Sequence, residues 1–243
     1  MPGQVVDAEA AEEFMGETLK KVAPEILAAI ASELSLKSAI FSERLAPARL
    51  ELAERADLYL VLRHVFSARR KADAILDTVG EAPLAAAIEE LLRGSDVLPA
   101  RIERFQSVLS SFPQAAFELP SEILHFTYPD HYWLWTRWMW DPRAETGALA
   151  LVTADDFEFG RDDPGGTYLR VGEAVAFVSA TGQAAGFSSF DEGPFAVDVF
   201  LGCVYAVYMY TVLRMRMTQE FNRIVPQQPE LVRRLLGVHR LEA

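Results

Sequence analysis

The chain has 243 residues, 51% hydrophobic and 24% charged, a globular composition long enough to bury an independent core. Its 35 acidic against 23 basic side chains give a formal net charge of −12, which argues against nucleic acid and anionic lipid as main partners, because both are bound through their negative charge. The one cysteine, Cys203, excludes an intramolecular disulfide and any zinc or iron–sulfur centre built only from this chain's thiolates.

Residues 1–21 are acidic and lack the apolar core of a secretory signal, so the cytoplasm is the expected compartment. Asp7 is placed to cap a first helix running to residue 21. Pro24 suits the first turn of a second helix, in which Ile26, Leu27, Ile30 and Leu34 recur at helical spacing. Pro47 opens a longer predicted helix with an apolar stripe of Leu52, Leu58, Leu62 and Phe66, continuing past Arg69, Arg70 and Lys71 toward Leu76 and ending near Gly80. Those three cations are the one candidate for a local basic patch, although a short basic run usually lies on a solvated helix face. A helix over 83–93 stops at Gly94, and Ser95 or Asp96 is placed to cap the next, where Ile102, Phe105, Val108 and Leu109 face inward.

From Pro113 the texture changes to prolines and aromatics. Pro120 begins a short helical candidate, and Tyr128-Pro129-Asp130 forces a turn. Residues 125–140, HFTYPDHYWLWTRWMW, hold all four tryptophans. Were this run helical, His131, Trp135 and Trp138 would share one stripe. Trp133, Arg137 and Trp140 would share another, with the guanidinium near two indoles. Residues 147–153 are the best strand candidate, and an acidic loop follows with Asp155, Asp156, Glu158, Asp162 and Asp163. A helix over 168–180 comes next. A long helix over 194–225 is expected after Pro194, and a short one over 230–238 closes the chain.

The fold class that emerges is mainly α, a multi-helix bundle or array with at most a short strand or hairpin near 147–160. It is expected as a single helical domain over 1–243. Any internal division falls near 113, between a helical N-terminal stretch, 1–112, and a C-terminal stretch, 113–243, that holds the aromatic segment and the last helices.

Several residue sets can carry function. Trp133, Trp135, Arg137, Trp138 and Trp140 are the types favoured where a ligand or partner protein is gripped, although adjacent aromatics more often serve as a core hub, here between the N-terminal bundle and the C-terminal helices. Glu122 and His125 have a Glu-x-x-His spacing. A mononuclear metal site or acid–base site is conceivable from Glu122, His125 and His131 with Asp130, but the second such motif of a di-iron bundle is missing. The acidic loop lacks the spacing of a calcium-binding hand. Residues 195–213 contain Asp198 as their only charge and are long enough to span hydrocarbon. Their mid-segment tyrosines instead fit a helix covered by protein, with Asp198 needing a partner. Cys203 has no acid or base close in sequence. Gln219, Glu220, Asn222 and Arg223 read as an exposed turn.

The leading functional expectation is a non-catalytic helical accessory subunit, assembly factor or adaptor in a cytoplasmic complex, bound to another protein or a second copy. An enzyme or carrier with a cavity lined by Trp133, Trp135, Trp138 and Tyr205 is the alternative, and membrane association through 195–213 a second one. The residues specify no cofactor.

Overall fold

A computed structural model describes residues 5–161, 163–182, 186–191, 193–216 and 226–239. The architecture is helical throughout, as the periodicities require. The helices are α1 (Ala8–Leu19), α2 (Pro24–Arg44), α3 (Pro47–Leu52), α4 (Arg55–Arg63), α5 (Ala72–Val79) and α6 (Glu81–Arg93). They continue with α7 (Leu98–Val108), α8 (Pro113–Thr127), α9 (Pro164–Ala180), α10 (Ala196–Arg216) and α11 (Gln228–Leu235). Among the described residues, β pairing is limited to two isolated bridges, Val6 with Thr153 and Asp141 with Thr146.

The chain forms two compact units, each assembled from separated stretches. Unit 1 draws on residues 1–34, 137–158 and 173–239, and unit 2 on 35–136 and 159–172. The change of texture at Pro113 lies within unit 2.

In unit 1, Asp7 caps α1 by accepting a hydrogen bond from the Ala10 amide at 3.0 Å. Ala11, Met15 and Thr18 then fall on one buried stripe, and α1 packs on α10. Helix α11 packs on α10 as well, and it is tied to α1 by Gln228, whose side-chain amide donates to Thr18 Oγ1 at 3.2 Å. Gly202 gives α11 its close approach to α10, since a Cβ there would lie 3.1 Å from Val232 Cγ1. The strand candidate 147–153 is corrected: it holds a 3₁₀ turn over Leu149–Leu151, with Thr153 alone in a bridge. The Ala148 and Leu149 carbonyls close locally, accepting from Leu151 and Val152, and the Val152 carbonyl reaches across, accepting from the Asp7 amide at the bridge.

In unit 2, α6, α7 and α8 pack in succession, with α3 against α6 and α4 against α5. The single helix expected from Pro47 toward Leu76 is three helices. Ala53 ends α3 in the left-handed region at φ 49°, and the turns 64–71 separate α4 from α5. The stripe drawn through Leu52 and Phe66 therefore fails: these two are 65% and 51% exposed, whereas Leu58 and Leu62 are buried. No glycine or proline marks either break; packing on α6 and α5 overrides good local propensity.

Other boundaries shift for identifiable reasons. Helix α7 starts at Leu98 with Pro99 in its first turn and takes no side-chain cap from Ser95 or Asp96. Helix α8 starts at Pro113 and carries Pro120 inside, where burial of Ala115, Leu119, Ile123 and Leu124 offsets the lost backbone bond. Asp163 starts α9 early by accepting from the Gly166 amide. The long C-terminal helix is described to Arg216; its expected continuation to 225, with Gln219, Glu220, Asn222 and Arg223, lies outside the described residues, as does Asp162. Among the described residues no helix is long and apolar enough to cross a membrane.

Candidate functional site

The helical arrangement considered for the aromatic segment does not form, and the turn expected at Tyr128-Pro129-Asp130 does. After α8 the chain turns at Tyr128, whose carbonyl accepts from the amides of His131 and Tyr132 at 3.0 and 3.2 Å, and residues 132–136 then run without helix. Pro129 favours this turn, and the following backbone groups are satisfied by side chains from neighbouring helices instead of by a helical ladder. Ser121 of α8 donates to the Trp135 carbonyl at 2.7 Å, and its oxygen accepts from the Trp135 amide at 3.1 Å. His125, one turn along α8, donates through Nδ1 to the Tyr132 carbonyl at 2.8 Å. Tyr168 of α9 donates through its hydroxyl to the Trp133 carbonyl at 3.0 Å, while the Trp133 indole N–H donates to the Tyr168 carbonyl at 2.9 Å. The segment is thus clamped from both sides within unit 2.

The rings pack accordingly. Trp133 stacks on Tyr168 at 5.0 Å between centroids, and Trp135 meets Phe117 edge-on at 4.7 Å. Gly172 makes room for the Trp133 indole, where a Cβ would collide at 1.7 Å. Trp138 and Trp140 belong to unit 1, where Trp138 lies 6.1 Å from Tyr205. The four residues expected to line one cavity therefore divide between two aromatic clusters, one in each unit. Trp135, Trp138 and Trp140 are buried by the chain itself; Trp133 and Arg137 are half-buried. The shared stripes drawn for Arg137 with Trp133 and Trp140, and for His131 with Trp135 and Trp138, presuppose a helix that does not form.

Next to Ser121, α8 also carries one half of a buried ion pair. Glu122 receives the Lys37 ammonium of α2 at 2.6 Å, both side chains being almost wholly buried. The ammonium also lies 3.9 Å from the Phe126 ring centroid, a second electrostatic contact in a dry setting. Ser38 donates to the Phe126 carbonyl at 2.9 Å and Ser42 to the Thr127 carbonyl at 3.3 Å, fixing α2 against the end of α8. Lys37 was not among the residues the sequence points to. Its signal lies in the stripe Leu34, Lys37, Phe41 and Leu45, where a lysine occupies an inward position.

These placements decide what the weak catalytic and metal candidates can do. Glu122 is engaged by Lys37 and His125 by a backbone carbonyl, whereas Asp130 and His131 are exposed on the turn beyond α8. Among the described residues no three His, Cys, Asp or Glu side chains come together as a metal would need. Cys203 is buried in α10. Its thiol is pushed up to about 12 by burial, against a smaller opposing hydrogen bond with Thr18, so it is protonated at neutral pH and a poor nucleophile. Asp198 is fully buried near the start of α10 and is not without a partner, as a carboxylate in that setting requires.

The remaining feature is a change of exposure along α10. Residues 196–204 are buried, whereas Tyr205, Val207, Tyr208, Met209, Tyr210 and Val212 are half-exposed. Partial burial raises the Tyr205 hydroxyl above its usual range, with Tyr208 and Asp141 adding to the effect. Of the half-exposed residues, Val207 and Tyr210, with Thr211, form one wall of a groove of about 360 Å³, and Glu13, Phe14 and Glu17 of α1, with Lys21 just beyond its end, form the other. No protein-family model, curated protein or solved structure matches the chain.

Proposed function

We propose that this protein is a non-catalytic accessory subunit or adaptor, holding an amphipathic helix of a partner protein in the groove between α1 and α10. The observation that carries this reading is the half-exposed, tyrosine-rich second half of α10, which keeps the apolar character of a core helix where the described residues cover it only in part. Tyrosine supplies large contact area at low entropic cost and is favoured at interface centres. The groove suits the side chains of a helix presenting apolar residues at i, i+3 and i+4. The α1 wall favours a partner with basic residues, because Glu13 and Glu17 outnumber Lys21 on it and Glu9 and Glu12 are exposed on the same helix. Internal use of Glu122, His125 and Cys203 is consistent with a role that needs no reaction centre.

The test is native mass spectrometry of the protein isolated gently from its source cells, beside a Thr211→Arg variant. Thr211 is exposed in the groove, so arginine there obstructs a cationic helix without touching the core. A stoichiometric protein partner that the variant loses is the expected result. A lone chain carrying a small organic or metal mass would overturn the reading in favour of an enzyme or carrier.

A further inference from the structure

The aromatic cluster of unit 1 contributes nothing to the groove. Tyr205 and Tyr208 lie three residues apart on α10 and so share a face. The Tyr205 ring centroid is 6.1 Å from that of Trp138, with the planes inclined at 52°, and 6.2 Å from that of Tyr208, inclined at 42°. Trp138 is only 8% exposed, whereas both tyrosines are half-exposed, so the three rings lead from the interior to the surface. A carboxylate stands beside them. The Tyr205 hydroxyl is raised by its burial first, and Tyr208 and Asp141 add to the effect, which puts both groups near its oxygen.

The backbone holds these groups in place. The Trp138 carbonyl accepts from the Ala148 amide at 2.9 Å, and the Asp141 amide donates to the Thr146 carbonyl at 2.8 Å. Asp141 Oδ1 accepts from the Arg143 amide at 2.9 Å, which fixes the carboxylate on a short turn. Arg143 and Glu145 are both exposed on that turn and offset one another, and the neighbouring Arg137 has a partner of its own. Asp141 therefore sets the sign of the site.

We propose that Trp138, Tyr205 and Tyr208, with Asp141, form a binding site for a quaternary ammonium group, carried by a free small molecule or by a trimethylated lysine. A ring face attracts a cation within about 6 Å of its centroid, and centroids spaced as these are let one cation reach two rings at once. Asp141 supplies the opposite charge where partial burial limits screening by water. A primary ammonium is strongly hydrated and brings three N–H donors that need acceptors. A quaternary ammonium has no donor to satisfy and meets ring faces at lower cost. The inference stands apart from the partner helix, because none of these four residues lines the groove.

The experiment is isothermal titration calorimetry of the full chain at physiological salt. The ligands are choline, its uncharged isostere 3,3-dimethylbutan-1-ol, and a short peptide containing trimethyllysine beside its unmethylated form. The variants are Tyr208→Leu, Tyr208→Phe and Asp141→Asn, the last keeping an acceptor for the Arg143 amide. Glu13→Gln, at an exposed residue of the groove, is the control with the same change of charge. Saturable binding of choline or the trimethyllysine peptide is expected, weakened about tenfold by Tyr208→Leu or Asp141→Asn and changed less than about twofold by Tyr208→Phe or Glu13→Gln. The tighter of the two ligands identifies the source of the cation. Three results would overturn the proposal: no saturable binding of either, equally tight binding of the isostere or the unmethylated peptide, or equal weakening by Glu13→Gln. A partner protein lost on Thr211→Arg while neither cation binds would remove this site and leave the groove intact.

Discussion

In unit 2, α8 is buried along most of its length although it carries Glu118, Ser121, Glu122 and His125; in unit 1, the buried residues 196–204 of α10 hold Asp198 as their single charge. The polar helix requires specific partners: Lys37 for Glu122, the Trp135 backbone for Ser121, the Tyr132 carbonyl for His125. The apolar helix requires shape, with Gly202 admitting Val232 of α11. Burial by polar pairing tolerates few alternatives, because each unpaired group left in a dry interior costs more than a missing methyl group. Burial by apolar fit is more forgiving.

Substitutions can break or sharpen this contrast. Glu122→Ala should have the largest effect, costing about 3–5 kcal/mol in urea unfolding because it strands the buried Lys37 ammonium. The double replacement Lys37→Met with Glu122→Leu should recover most of that loss, the non-additivity being the signature of a buried pair. A loss below about 1 kcal/mol for Glu122→Ala would mean that the pair is solvated and the contrast false. Ser121→Ala comes next, at about 1–3 kcal/mol, since the Trp135 amide and carbonyl both lose their partner. Its effect should also appear as a shifted tryptophan emission while helix content by circular dichroism is retained. Gly202→Ala in α10 should be smallest, within about 0.5 kcal/mol of zero, the helix-propensity gain being offset by the contact with Val232. A large loss there would show that apolar fit is as exacting as polar pairing.

The same distinction explains how much of the molecule was legible in its sequence. Helical character throughout, the Asp7 cap, the start at Pro24 and the stop near Gly80 follow from local chemistry, and the structure has them. The breaks after Leu52 and Arg63 were not legible, because they arise where α3 and α4 find different neighbours. The aromatic segment was legible as a place but not as a conformation. Adjacent tryptophans suggest helical stripes only until the backbone partners, Ser121, His125 and Tyr168, are known, and all three act from a distance in sequence. Lys37 shows the converse. Its inward position follows from the spacing of its apolar neighbours, but its partner, 85 residues later, does not.

The interleaved construction of the two units bears on how the chain is made. Helix α1 packs on α10, and roughly 180 residues separate the end of one from the start of the other, a delay of about 10–35 s at ordinary rates of synthesis. Throughout that interval the apolar stripe of Ala11 and Met15 has no α10 to cover it, while residues 35–136, the bulk of unit 2, are completed before α10 begins. Unit 2 can therefore mature on the ribosome ahead of unit 1, and a nascent-chain chaperone has a long opportunity at α1.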